Sequence, residues 1–313
     1  MRAVICTKYG APEVLQLQDV QKPIPKNSEI LIKIHATTVH IGDTKIRAFR
    51  PGMGMLDFVV KPMMRIMIGF RGPRRKILGM DLAGEIEAVG KDVTRFKVGN
   101  EVFASSEMKF GAYAEYICLE EDGIIALKPT NRSYQEVVPV VNGALTALLL
   151  LKKAKIQKGQ DLLIYGASGS VGTFAVQLAK YFKAKVTAVC STTNLEMVRS
   201  LGADEVIDYT KEDFTQNAKS YDTIFDAVGK LSKSKCKKSL KKDGFYMNVL
   251  TSTDSLKLKS KDLDFLKELM QKGYLRAVID RTYPLEQIVE AHRYVDKGHK
   301  KGNVVIEIVA KEG

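Results

Sequence analysis

The chain has 313 residues, 45% of them hydrophobic and 27% charged, a composition suited to a globular protein with room for two domains. No apolar run reaches membrane-spanning length, and the opening "MRAVICTKYG" lacks the apolar core and cleavage site of a signal peptide, so a cytoplasmic protein is expected. The formal charge of +13 admits an anionic partner, yet the densest run, "LSKSKCKKSLKK" at 231–242, spreads its lysines over several helical faces without interleaved aromatics; it reads as solvated surface, with neither nucleic acid nor a membrane expected.

To about residue 127 the chain reads as short strands and turns: "RAVICTK", "EILIKIHATTV", "AGEIEAVG", "NEVFA" and "GAYAEYICL", separated by Pro, Gly, Asn and Asp. No long helix is expected there, which predicts a compact, barrel-like β domain. One segment stands apart. Residues 50–76 hold five of the eleven methionines, a composition suited to an adaptable apolar surface, expected as a lid or wall of a substrate cleft or, nearly as well, as a packing insertion or dimer contact.

The rhythm then changes. "DLLIYGASG" is a buried-strand pattern ending in glycines, and Val171, Phe174, Ala175, Leu178 and Phe182 recur at helical spacing after it. "KVTAVC", "DEVIDYT", "YDTIFDAVG" and "GFYMNVL" follow as strands alternating with helices, the pattern of a parallel sheet covered on both faces. The tail ends in the apolar strand "GNVVIEIVA".

The run "YGASGSVG" carries the register Ala167-x-Gly169-x-x-Gly172 between a strand and a helix. Glycines so placed serve a tight turn, close approach to a pyrophosphate and helix–strand packing, and the helix N-terminus then offers N–H groups and a positive dipole end. A purely structural turn is the competing reading; a P-loop is excluded because no Gly-Lys-Ser/Thr follows. The second strand of the unit ends in Cys190, Ser191, Thr192, Thr193 and Asn194 with no carboxylate, so hydroxyls there favour the 2′-phosphate of NADPH over the bare ribose of NADH, with Arg199 or a nearby lysine able to add charge.

The β-rich start, "NGALTALLLL" leading into "GASGSVG", then "LGADEVIDYT", "FDAVG" and "GNVVIEI", resemble the medium-chain dehydrogenase/reductase superfamily, and within it the zinc-free NADPH:quinone oxidoreductase branch with the zeta-crystallin-like and enone reductases. The resemblance implies an α/β fold: a GroES-like β-rich catalytic domain at 1–127 completed by 275–313, a Rossmann doubly wound parallel sheet at 128–274, and a cofactor cleft between them. It implies cofactor contacts at Gly169, Ser170, Val171 and Gly172, a 2′-phosphate site near Ser191, Thr192 and Tyr209, a nicotinamide site near Thr146, and further contacts at Val228 and Asn303. His40, Asp43 and Lys45 of "HATTVHIGDTKIR" join Thr146 as candidate catalytic residues. A homodimer is the family habit.

Zinc is not expected. Where zinc alcohol dehydrogenases carry Gly-His-Glu the chain has Met80 and Asp81, no Cys stands near "VHIGDTK", and the four cysteines are far apart, whereas zinc asks for about four clustered N, S or O ligands. His40 stands where quinone reductases usually carry Asn. It reads either as a titratable group beside the nicotinamide or, in the favoured reading, as a packing histidine replacing an amide's hydrogen bond. Asp43 reads as an acceptor for backbone N–H groups. The expected activity is NADPH-dependent reduction of quinones or α,β-unsaturated carbonyls, small-molecule acceptors already activated by conjugation. An NADPH-binding protein associating with RNA is the alternative, and alcohol oxidation a poorer one.

Overall fold

The β-rich runs of the N-terminal third form antiparallel strands in a computed structural model that describes residues 1–50, 57–253 and 258–308. β1 (Arg2–Cys6) pairs with β2 (Leu15–Asp19). β3 (Glu29–Val39), β4 (Asp81–Val89), β5 (Glu101–Ser105), β6 (Tyr116–Glu120) and β7 (Ile124–Leu127) build a larger sheet, which two strands from the far end of the chain extend, β13 (Ile279–Pro284) and β14 (Asn303–Glu307). The order is β13-β14-β3-β4-β5-β7, with β6 also on β3. Alternation decides which face is inside: Ile30, Ile32 and Ile34 of β3 point into a core shared with Leu82 and Ile86 of β4 and Val304 and Ile306 of β14. This is the GroES-like unit.

Its helices are α1 (Ile41–Ala48), α2 (Asp57–Ile68), α3 (Tyr134–Pro139) and α9 (Ile288–Asp296). The expectation of no long helix in this region is overturned by α2, 12 residues inside the methionine-rich segment. Pro62 within it masked the helical spacing of its apolar side chains. Residues 51–56 of that segment lie outside the described residues.

The unit runs through Val141 and resumes at Ile279, with Asn142–Val278 forming the second unit, so the divisions fall at 141/142 and 278/279 where 127/128 and 274/275 were expected. The reason at the first is local. Tyr134 of α3 stacks on His35 at 4.4 Å and donates its hydroxyl to Glu101 at 2.7 Å, while Gln135 donates to Glu307, which ties α3 to the β unit. The helical run Tyr134–Lys153 is long and apolar enough to cross a membrane, but 72% of its most apolar window is buried within the protein, as in a core helix.

The second unit alternates strand and helix: α4 (Leu145–Lys153), β8 (Asp161–Tyr165), α5 (Ser170–Tyr181), β9 (Lys185–Cys190), α6 (Leu195–Ser200), β10 (Glu205–Asp208), β11 (Tyr221–Asp226), α7 (Lys233–Cys236), β12 (Leu240–Asn248) and α8 (Ser260–Gln271). Its five parallel strands stand in the order β10-β9-β8-β11-β12, the doubly wound Rossmann order, with the switch point between β8 and β11. The lysine-rich stretch expected as a helix gives only the short α7 and a following 3-10 turn. Lys235 there pairs with Asp213, and Lys241 with Asp161 and Asp222.

Candidate functional site

In the second unit the glycines sit at the switch point. β8 ends at Tyr165, the chain turns, and Gly169 caps α5 with no side-chain hydrogen bond. The first intrahelical bond is Thr173 N–H to the Gly169 carbonyl at 2.9 Å, so the N–H groups before it in the first turn point along the helix axis toward whatever lies there. The two fingerprint glycines have different reasons. A Cβ on Gly172 would lie 2.2 Å from the Gly166 carbonyl oxygen, a clash within the chain, whereas a Cβ on Gly169 would meet only that same oxygen at 3.5 Å. Nothing inside the protein demands glycine at 169. The open surface over it fits a group brought against the backbone from outside, as a pyrophosphate is.

The neighbouring loop is held by Asp226, fully buried at the end of β11. Its Oδ1 accepts from the N–H groups of Val228 and Gly229, its Oδ2 from Leu231. That fixes Val228 against Gly166, where an added Cβ would lie 2.1 Å from Val228 Cγ2. Sequence reasoning singled out Val228 and missed the carboxylate that places it.

At the far end of the cradle, Ser191 and Thr192 follow β9. The reading that no carboxylate sits there holds for β9 alone: β10 runs parallel with Asp208 opposite Cys190, and Thr192 Oγ1 donates to Asp208 Oδ2 at 2.5 Å. Thr210 donates to Asp208 through both its N–H and its hydroxyl, and these hydroxyls, Thr192 first, hold the carboxyl below its usual range. Ser191 Oγ accepts from Asn194 and lies 3.4 Å from the Thr193 hydroxyl. Tyr209 is exposed, and Arg199 is paired with Glu196 at 2.6 Å. Thr146 sits half-buried on α4.

The remaining candidates lie in the first unit. His40 is the N-cap of α1: its Nδ1 accepts from Gly42 N–H at 3.0 Å, and Asp43 Oδ2 accepts from His40 N–H at 3.0 Å, a reciprocal capping box. With Nδ1 accepting, the neutral ring carries its proton on Nε2, which lies 3.4 Å from Asp43 Oδ2. Asp43 is buried, and burial raises its carboxyl. Lys45 stands half-buried in the same helix. Asp81, at the start of β4, accepts from Thr38 Oγ1 at 2.9 Å and is pushed up to about 6, chiefly by burial. Asn303 opens β14 one step beyond the pair Val304 opposite Val39, which brings it beside His40 at the end of the sheet. His40, Asp43, Lys45 and Asn303 thus gather in one unit and the other candidates in the other.

Among the described residues no group of three or more His, Cys, Asp or Glu side chains is placed to hold a metal ion. The stretch that would have to supply one offers the Met80 thioether, an Asp81 carboxylate bonded through Oδ2 to Thr38, and a His40 ring whose Nδ1 caps α1 and whose Nε2 alone is left, fewer than the three protein ligands a zinc site takes. Those donors do not fit a resident zinc.

A GroES-like β unit joined to a Rossmann unit with a glycine cradle defines a nucleotide-dependent dehydrogenase or reductase. Residues 26–129 match the profile described as alcohol dehydrogenase GroES-like domain and residues 201–306 the one described as zinc-binding dehydrogenase. A 2-methylene-furan-3-one reductase of Solanum lycopersicum is 33% identical across 98% of the chain and 79% of its own length, and a Quinone-oxidoreductase QR1 of Triphysaria versicolor is 32% identical across 98% of both. Among solved structures, the quinone oxidoreductase from Coxiella burnetii superposes with a TM-score of 0.81 at 26% identity, covering 99% of both chains. The chain belongs to the medium-chain dehydrogenase/reductase superfamily.

Proposed function

We propose that this oxidoreductase reduces quinones or α,β-unsaturated carbonyls with NADPH and without a metal. The observation that carries the reading is the pairing of an open backbone cradle at Gly169 with donors at Met80, Asp81 and His40 that do not fit zinc. Relatives named for reducing a methylene-furanone, an alkenal or enone, and quinones support the acceptor class.

Bound NADPH supplies the hydride. The first turn of α5 holds the pyrophosphate through its N–H groups, and Ser191 and Tyr209 receive the 2′-phosphate, while the Asp208 carboxylate beside them is occupied by the Thr192 and Thr210 hydroxyls and keeps its charge. Thr146 positions the nicotinamide. Without a Lewis acid the acceptor must delocalise the incoming charge itself, which conjugation does, and the protein contributes orientation, exclusion of water and hydrogen-bond donors. A simple alcohol would need zinc or a base to lose its proton. Titrating NADPH and NADH by nicotinamide fluorescence tests the cofactor: NADPH binds more tightly, and Ser191→Asp shifts the preference toward NADH. Tighter NADH binding by the unaltered protein would defeat the reading.

A further inference from the structure

Among the described residues, helix α2 presents an exposed apolar stripe. Met63, Ile66 and Met67 are 55%, 61% and 63% exposed, and Phe70, just past the helix end, is 65% exposed. They stand at i, i+3, i+4 and i+7, one stripe along a helix. Soluble proteins rarely leave four large apolar side chains contiguous in water without a partner for them.

The surroundings say what kind of partner. Between Asp57 and Asp81 the sequence holds six basic residues, Lys61, Arg65, Arg71, Arg74, Arg75 and Lys76, and no acidic one. Arg71, Arg74 and Arg75 are exposed and make no ion pair among the described residues. The segment is also fastened to the body. Ile68 is buried, Arg74 N–H donates to the Ile68 carbonyl at 2.6 Å, and Tyr9 donates its hydroxyl to the Gly69 carbonyl at 2.9 Å. The stripe and the arginines are therefore offered together by one anchored element.

We propose that α2 and the arginines after it dock this protein on an anionic lipid bilayer. The apolar stripe enters the boundary between headgroups and acyl chains, and the arginines take the acidic headgroups beside it. A nucleic acid would satisfy the arginines but leave the methionines and isoleucine in water, and a second copy of this +13 chain would bring like charge against like. The surface differs from the lysine run at 231–242, which has cations but no apolar stripe.

Co-sedimentation of the full chain with vesicles of phosphatidylcholine, alone or mixed with phosphatidylserine, tests this. The protein binds the mixed vesicles and not the neutral ones, and binding falls as salt rises. Arg71→Gln, Arg74→Gln and Arg75→Gln each weaken it about fivefold. Ile66→Glu with Met67→Glu weakens it at least about tenfold; both side chains are exposed, and an unchanged circular dichroism spectrum verifies the fold. Equal binding to neutral vesicles, or none to either, overturns the proposal. So does self-association abolished by the glutamate variant, or loss of turnover with a soluble quinone while vesicle binding stays intact.

Discussion

The two units spend their polar groups differently. In the Rossmann unit the candidate groups belong to the backbone at the start of α5, beside a glycine whose Cβ would meet no clash. In the GroES-like unit the polar side chains around α1 are turned inward. His40 caps its own helix, Asp43 completes the cap, and His40 Nε2, Asp43 Oδ1, Arg47 Nε and Nη1 and both ring nitrogens of His292 are buried without a hydrogen-bond partner among the described residues. On the proposed function, binding rests on backbone geometry in one unit, whereas buried polar side chains around α1 in the other bear on stability and its pH dependence.

Two glycine substitutions probe the first half of this contrast, with the largest effect expected. Gly172→Ala sets a Cβ 2.2 Å from a backbone oxygen and costs about 3 kcal/mol in urea unfolding. Gly169→Ala leaves stability within about 0.5 kcal/mol but weakens NADPH about tenfold. Equal effects of the two on stability would erase the distinction between packing and binding glycines.

The second half is read in pH. Burial, with the charges of Arg47 and His40 behind it, pushes His292 down to about 3. The unfolded chain binds that proton near about 6.5, so from about pH 3 to 6.5 the unfolded state holds the extra proton and stability rises with pH. Asp81, up to about 6, works in the opposite sense: the folded state keeps its proton above the unfolded value of about 3.9, so stability falls between about pH 4 and 6. His292→Leu removes the rise and leaves the fall; Asp81→Asn removes the fall and steepens the rise. Urea midpoints across that range check both.

Asp208→Asn takes a negative charge from beside Thr192 and tightens NADPH by a factor of about three, with little change for NADH. His40→Asn keeps a good N-cap and retains most turnover, whereas His40→Ala loses the cap, about 1 kcal/mol in unfolding. Complete loss of turnover in His40→Asn would assign His40 a proton-transfer role.

Much of this contrast was legible in the sequence, and the remainder has identifiable causes. The strand–glycine–helix run predicts the cradle because both periodicities and the turn are local. β3 is legible because Ile30, Ile32 and Ile34 alternate. Asp208 was not, since only the parallel register sets it opposite Cys190, eighteen positions earlier in the chain. Nor was the holding role of Asp226, which depends on three N–H groups of a loop folding back. The capping of α1 by a histidine escaped because Ser, Thr, Asp and Asn are the usual signals there, and α2 escaped because a proline sits inside it.

The most direct measurement is steady-state NADPH oxidation by purified protein with an ortho-quinone or a small enone, before and after exhaustive chelation, with zinc determined on the same sample. The expected result is undiminished turnover, no stoichiometric zinc, and poor or absent NADP-linked oxidation of simple alcohols. About one tightly held zinc per chain, with activity lost to the chelator and alcohols oxidised as fast as the conjugated acceptors are reduced, would contradict it.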